Sequence, residues 1–300
     1  MRKLFSILSI ITIFSLFPFF AFAVCSEPNA SQYLVCEDWD TDTPPNVNWP
    51  CTRGNLNSHC NPNTPGTCCY PWHGWSCTDS AASDDEKSQV TTERAHSGTK
   101  SLRETSQLVL GTERAGTDIY HSISGHPTSV YIRFYVYVEN FDNITAGHFI
   151  FLNSASGAEA SIDWRDCTDQ GYRTCSGMYM APHSYGPEVW QANNNQPSAF
   201  NWLNHTNEWV LVEVKFDFGN HQAEMWINGI EYLHNWSVNF DWSTIEDIII
   251  SGWRSLGTSN DQSYWIDDVV VSTSYIGPRN DSQPLPDTTP PSPPSGVMVS

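Results

Sequence analysis

Tyr131, Arg133, Tyr135 and Tyr137 stand at every second position of one uninterrupted run, SVYIRFYVYV, from Ser129 to Val138. In an extended chain that spacing puts all four on one face, and Val130, Ile132, Phe134, Val136 and Val138 on the other. Aromatic rings cover the apolar faces of sugars, while hydroxyl and guanidinium groups bond to sugar oxygens. The tyrosine–arginine face therefore reads as the wall of a polysaccharide groove. Tyrosines on the solvent side of an antiparallel sheet would give the same pattern, so the neighbouring elements must decide.

Those elements are strands. From about Tyr33 to Ile276 short alternating runs are broken by Gly, Asn, Pro and Ser, with no long amphipathic helix. Strands are predicted over 97–105, 147–152, 159–165, 177–181, 208–218, 222–228, 245–253 and 263–272. In EWVLVEVKFDF, Val210, Val212, Val214, Phe216 and Phe218 alternate with Trp209, Leu211, Glu213 and Lys215. The class is all-β, a two-sheet antiparallel sandwich. His148, Asp163, Arg165, Tyr179, Glu213 and Trp226 fall near strand centres and are expected to join the tyrosines on one concave face, in registers that sequence does not fix. His183, Tyr185 and the loop residue Trp190 complete the expected substrate-binding set, and Trp72 and Trp75 also sit in loop contexts suited to a binding rim.

The N-terminus carries Arg2 and Lys3, an apolar run from Leu4 to Phe22 and the Ala21-Phe22-Ala23 pattern. This reads as a signal peptide over 1–23 and a secreted protein, with lipid attachment at Cys25 as the lesser alternative. No second apolar stretch suggests membrane insertion. The whole chain has 14 Lys plus Arg against 33 Asp plus Glu; without Arg2 and Lys3 the balance is 12 against 33, a formal charge of −21. Such a field disfavours nucleic acid and anionic membranes and favours neutral or weakly charged partners.

Nine cysteines in a secreted chain imply disulfides, and Cys51 to Cys77 reads as a disulfide-rich loop insertion. Cys68 and Cys69 each pair elsewhere, and Cys167 with Cys175 is expected to clip one hairpin. The odd count leaves one thiol over, or Cys25 is modified. No CxxC spacing supports zinc. Residues 278–300 are a Pro- and Ser-rich linker that cannot pack a core.

The order CEDWDTD, HSGTKSL, SVYIRFYVYV, EWVLVEVKFDFGNHQAEMWINGIEY and SYWIDDVVVSTSYIG resembles the concanavalin A-like lectin/glucanase superfamily, with its jelly rolls related to polysaccharide lyases and laminin G-type modules. The resemblance implies a jelly-roll β-sandwich over 24–277 that binds glycan on a concave face, as one module of a larger extracellular carbohydrate-active protein. The tract after Gly277 resembles the seam before a fibronectin type III module, so a downstream domain is expected. Related jelly rolls tie first and last strands through calcium, which would make Glu37, Asp38 and Asp268 its ligands.

Three activities can be weighed on the residues. A lyase acting by β-elimination on uronates needs a cation for the carboxylate, a base and an acid. Arg133 or Arg114, His148 or His183, and Tyr179 or Tyr185 supply those types, with His148, Tyr179 and Arg133 the first choice. The arginine-rich RTELRE strand of alginate lyases is only partly matched, by SLRETS. A retaining glucanase would need an ExDxE array; Glu159-x-Ser161-x-Asp163 lacks its central carboxylate. No GxSxG supports a serine nucleophile. Carbohydrate binding without cleavage is the leading expectation, a lyase the next, and an adhesion module the third.

Overall fold

A computed structural model describes residues 25, 27–40, 48–50, 73–74, 87–106, 114–115, 118–140, 144–153, 159–166, 178–185, 200, 202–237, 245–251, 254–256 and 262–278. The signal peptide, the disulfide-rich insertion apart from residues 73–74, the Cys167–Cys175 clip, Trp72, Trp75, Trp190 and the linker beyond Pro278 lie outside these residues.

In chain order the strands are β1 (Val35–Glu37), β2 (Asn48–Pro50), β3 (His73–Gly74), β4 (Lys87–Thr91), β5 (Ser101–Ser106) and β6 (Arg114–Ala115). Next come β7 (Asp118–Ser122), β8 (Ser129–Val138), β9 (Ile144–Asn153), β10 (Glu159–Asp166) and β11 (Met178–Tyr185). The last are β12 (Trp209–Asp217), β13 (Gln222–Ile227), β14 (Ile230–Ser237), β15 (Asp247–Ser251), β16 (Arg254–Leu256) and β17 (Gln262–Ser272). They form two antiparallel sheets. The first runs β14-β13-β12-β8-β17-β5-β4-β2, with β1 on β17; the second runs β11-β10-β9-β15-β7-β3, with β16 on β9 and β6 on β16.

The alternation that predicts β8 and β12 is what fills the space between the sheets. Val130, Ile132, Phe134, Val136 and Val138 join Val210, Val212, Val214 and Phe216 in one core, which the second sheet closes with Ile119, Ile150, Leu152, Ile162, Ile248 and Ile250. Phe149 lies against Phe134, Trp202 and Tyr264 at ring-centroid distances of 6.2, 5.5 and 5.3 Å. Each such side chain stabilises the fold by about 1.5–3 kcal/mol through burial.

Strict pairing is interrupted by several register shifts, two of which reset what faces the core. In β17 the pairing with β8 slips between Asp267 and Val270, so Ile266, Val269 and Val271 reach the core. The extra residue is Asp268, at φ 52°. In β9 the slip opposite Ile162 and Asp163 turns both Phe149 and Ile150 inward. The expected strand at Ser97 begins later, at Ser101. Its first residues instead wrap Asp40, whose Oδ1 accepts from the Thr99 and Lys100 amides at 2.7 and 3.1 Å. Gly98, at φ +60°, makes room for that carboxylate: a Cβ there would lie 1.5 Å from Asp40 Oδ2.

Candidate functional site

The expected single face divides between the two sheets. Tyr131, Arg133, Tyr135, Tyr137, Glu213 and Trp226 share the outward face of the first sheet, where Glu213 pairs with Arg133 on β8 and with Trp226 on β13. His148, Asp163, Arg165, Tyr179, His183 and Tyr185 belong to β9, β10 and β11 of the second sheet. Arg133 thus cannot serve a reaction at His148 and Tyr179, because the whole core separates its sheet from theirs.

The tyrosine face is also covered by the chain's own ends. Arg133 is 1% exposed. Its Nη1 donates to the Gly277 carbonyl at 3.1 Å and its Nη2 to Glu27 Oε1 at 2.7 Å. Glu213 accepts from the Ile276 amide at 2.9 Å and from the Gly277 amide at 3.0 Å. Burial pushes its carboxyl up to about 7, against the pull of those two amides and of Arg133. Tyr275 stands edge-on to Tyr131, at 5.9 Å, and tilted over Trp226, at 5.4 Å. His96 stacks on Tyr135 at 3.4 Å. Tyr131, Tyr135 and Trp226 are buried as a result, and Tyr137, beneath the Arg94 guanidinium at 4.3 Å, is half-buried. The open aromatic groove expected here is closed by polar and aromatic contacts within the chain.

The second sheet arranges its residues differently. Asp163 pairs with His148 on one side and Ala181 on the other, and Arg165 with Ala146 and Tyr179. Ser161 pairs with Phe151 and His183, and Glu159 with Asn153 and Tyr185. Ala160 and Ile162 face the core, so these alternate positions of β10 lie on the outward face. His148, Ser161 and Asn153 are buried on that face, and His148 packs against Phe151 at 4.3 Å. Asn153 was not expected from the sequence; its place in register beside Glu159 and Asp247 is what marks it.

The three carboxylates expected to bind calcium lie at the β1–β17 junction and take protein donors. Glu37 accepts from the Trp39 amide and Asp38 from the Asp40 amide, at 2.9 and 3.1 Å. Asp268 accepts from Ser97 Oγ at 2.6 Å and pairs with His96 Nδ1 at 2.7 Å. Asp267, raised well above the usual carboxyl range by burial and by Asp268, accepts from the His96 and Ser97 amides. Glu37, Asp38 and Asp268 do not fit a cage of three carboxylates. Among the described residues the His, Cys, Asp and Glu side chains that gather as three within 4.8 Å are Glu224, Glu231 and His234. Cys25 is disulfide-bonded to Cys36, which fits an oxidising compartment and removes it as a lipid site or leftover thiol. Among the described residues no helix is long and apolar enough to cross a membrane.

No family model and no curated protein sequence matches this chain. Solved structures do resemble it. The chain is similar to an endo-β-1,4-glucuronan lyase from the fungus Trichoderma reesei at 13% identity and TM-score 0.43, covering 64% of this chain and 89% of that one. An alginate lyase from Chlorella virus gives 15%, 0.41, 63% and 89% in the same order. A structure described under endo-acting O-glycanases of the human gut microbiota gives 14%, 0.46, 80% and 99%. The architecture itself is a two-sheet antiparallel β-sandwich. Likeness at this depth assigns no activity.

Proposed function

We propose that the chain is a secreted carbohydrate-binding jelly roll whose ligand lies on the outward face of the second sheet. The supporting observation is the register that sets Glu159 beside Tyr185, Ser161 beside His183, Asp163 beside His148 and Arg165 beside Tyr179 on adjoining strands. Hydroxyl, imidazole, carboxylate and guanidinium groups in facing rows are what a polyhydroxylated ligand needs. The module belongs to an extracellular carbohydrate-active protein.

A second reading, cleavage by β-elimination, uses the same face. His148 would take the proton, Tyr179 would serve the leaving oxygen, and Arg165, its cross-strand neighbour, would take the cation role first given to Arg133.

Incubating the purified protein with neutral and uronate polysaccharides, and following polymer size by chromatography, tests the function. Co-elution at unchanged size supports binding alone, and shortening with unsaturated new ends establishes the lyase. On the lyase reading, a His148→Ala variant that still folds is expected to lose cleavage while binding persists. Neither co-elution nor shortening with any polymer would sink both readings.

A further inference from the structure

The outward face of the second sheet carries a chemical gradient along its strands. At one end Arg114, Ser255, Ala146, Arg165 and Tyr179 form one row through successive pairings. That row holds two arginines and no acid. At the other end Ser122, Asp247, Asn153, Glu159 and Tyr185 form another. On β10 the two rows are six residues apart, about 20 Å at strand spacing, the length of several sugar rings.

Asn153 marks the second row as incomplete. It is 5% exposed, and its Oδ1 is buried with no hydrogen-bond partner. Its row neighbours Glu159 and Asp247 are acceptors when ionised. The Ser122 hydroxyl already donates to Asp247 Oδ1, at 2.9 Å. A buried acceptor without a donor is costly and rare in a finished core. The group that would satisfy it is a hydroxyl brought from outside. The flanking carboxylates repel an anionic sugar at this end, and the two arginines at the other end attract one.

We propose that this face takes a mixed glycan, with a carboxylated or sulfated sugar over the arginine row and a neutral, hydroxyl-donating sugar over the Asn153 row. The inference rests on the second sheet being the carbohydrate face and names the class of glycan it selects. Asn153 is then a specificity-determining residue.

The test is calorimetric titration of the full chain, in EDTA, with hyaluronan, which alternates uronate and N-acetylhexosamine, with polyglucuronate and with a neutral β-glucan. Hyaluronan is expected to bind at least about tenfold more tightly than either homopolymer, with an affinity that falls as salt rises. Asn153→Leu should weaken it about fivefold while the melting temperature stays level or rises, because the variant loses an unmet buried acceptor. Asn153→Ala provides the same reading if leucine does not fit, and Arg165→Gln should remove much of the salt dependence. Equal affinity for a homopolymer overturns the proposal. So does an Asn153 variant that melts lower and binds unchanged. Absence of affinity for all three polymers overturns the carbohydrate reading itself.

Discussion

The two outward faces carry similar residue types to different ends. On the first sheet the buried charges are answered from within: Arg133 by Glu27 and Gly277, Glu213 by the amides of residues 276 and 277. What remains on its outward face are N–H edges of Trp226, Trp265 and the Arg94 and Arg133 guanidinium groups, while Glu104, which takes the Ser88 hydroxyl on Oε2, keeps a buried acceptor, Oε1, on the core side of β5. On the second sheet a buried side-chain acceptor, Asn153 Oδ1, stays unanswered. Similar composition therefore says little about role; how completely the polar groups are satisfied says more. A face that has met its own needs holds the fold, and a face left with an unmet need can hold a ligand.

The sharpest way to break this contrast is to remove Arg133. Arg133→Met strands Glu27 and Glu213 without their cation, and should cost about 3–5 kcal/mol in urea unfolding. Glycan binding by the folded fraction should persist. Lost binding at intact stability would return the ligand to the first sheet.

A smaller effect follows from Glu213. Its folded carboxyl titrates near 7 against an ordinary 4.5, so the native state binds the extra proton between those values. Its contribution is complete below about 4.5 and is lost as pH rises through about 7, by roughly 3 kcal/mol in all. Glu213→Gln should flatten that slope and be the more stable form at pH 8. A slope identical to the parent's would place the titration elsewhere.

The smallest effect is expected at Tyr137, half-buried beneath Arg94. Tyr137→Ala should lower stability by about 1 kcal/mol and leave glycan affinity unchanged in the same titrations. A large loss of affinity would make the uncovered end of the first sheet a second ligand face.

Much of the scaffold was legible because β8 and β12 turn their aliphatic residues to the core between the sheets and so must alternate. Their tyrosines and Glu213 were placed together correctly for the same reason. The assignment of β9, β10 and β11 to the other sheet was not legible, since strand partnering is a long-range choice that period 2 does not encode. The bulge at Asp268 was equally hidden: IDDVVV breaks the alternation without saying where, and its extra residue shows only when β8 fixes the register. The cover over Arg133 comes from residues 106 and 144 positions away.

The clamp at Arg133 also has a mechanical meaning. One guanidinium grips the segment entering the fold and the segment leaving it. Leu34 donates to the Val271 carbonyl at 2.8 Å just beyond, where β1 lies along β17. A pull on those two segments, as on a protein tethered to a surface in flow, loads this junction first. Both sheets stay slack behind it until it parts, so force reaches the outward face of the second sheet last.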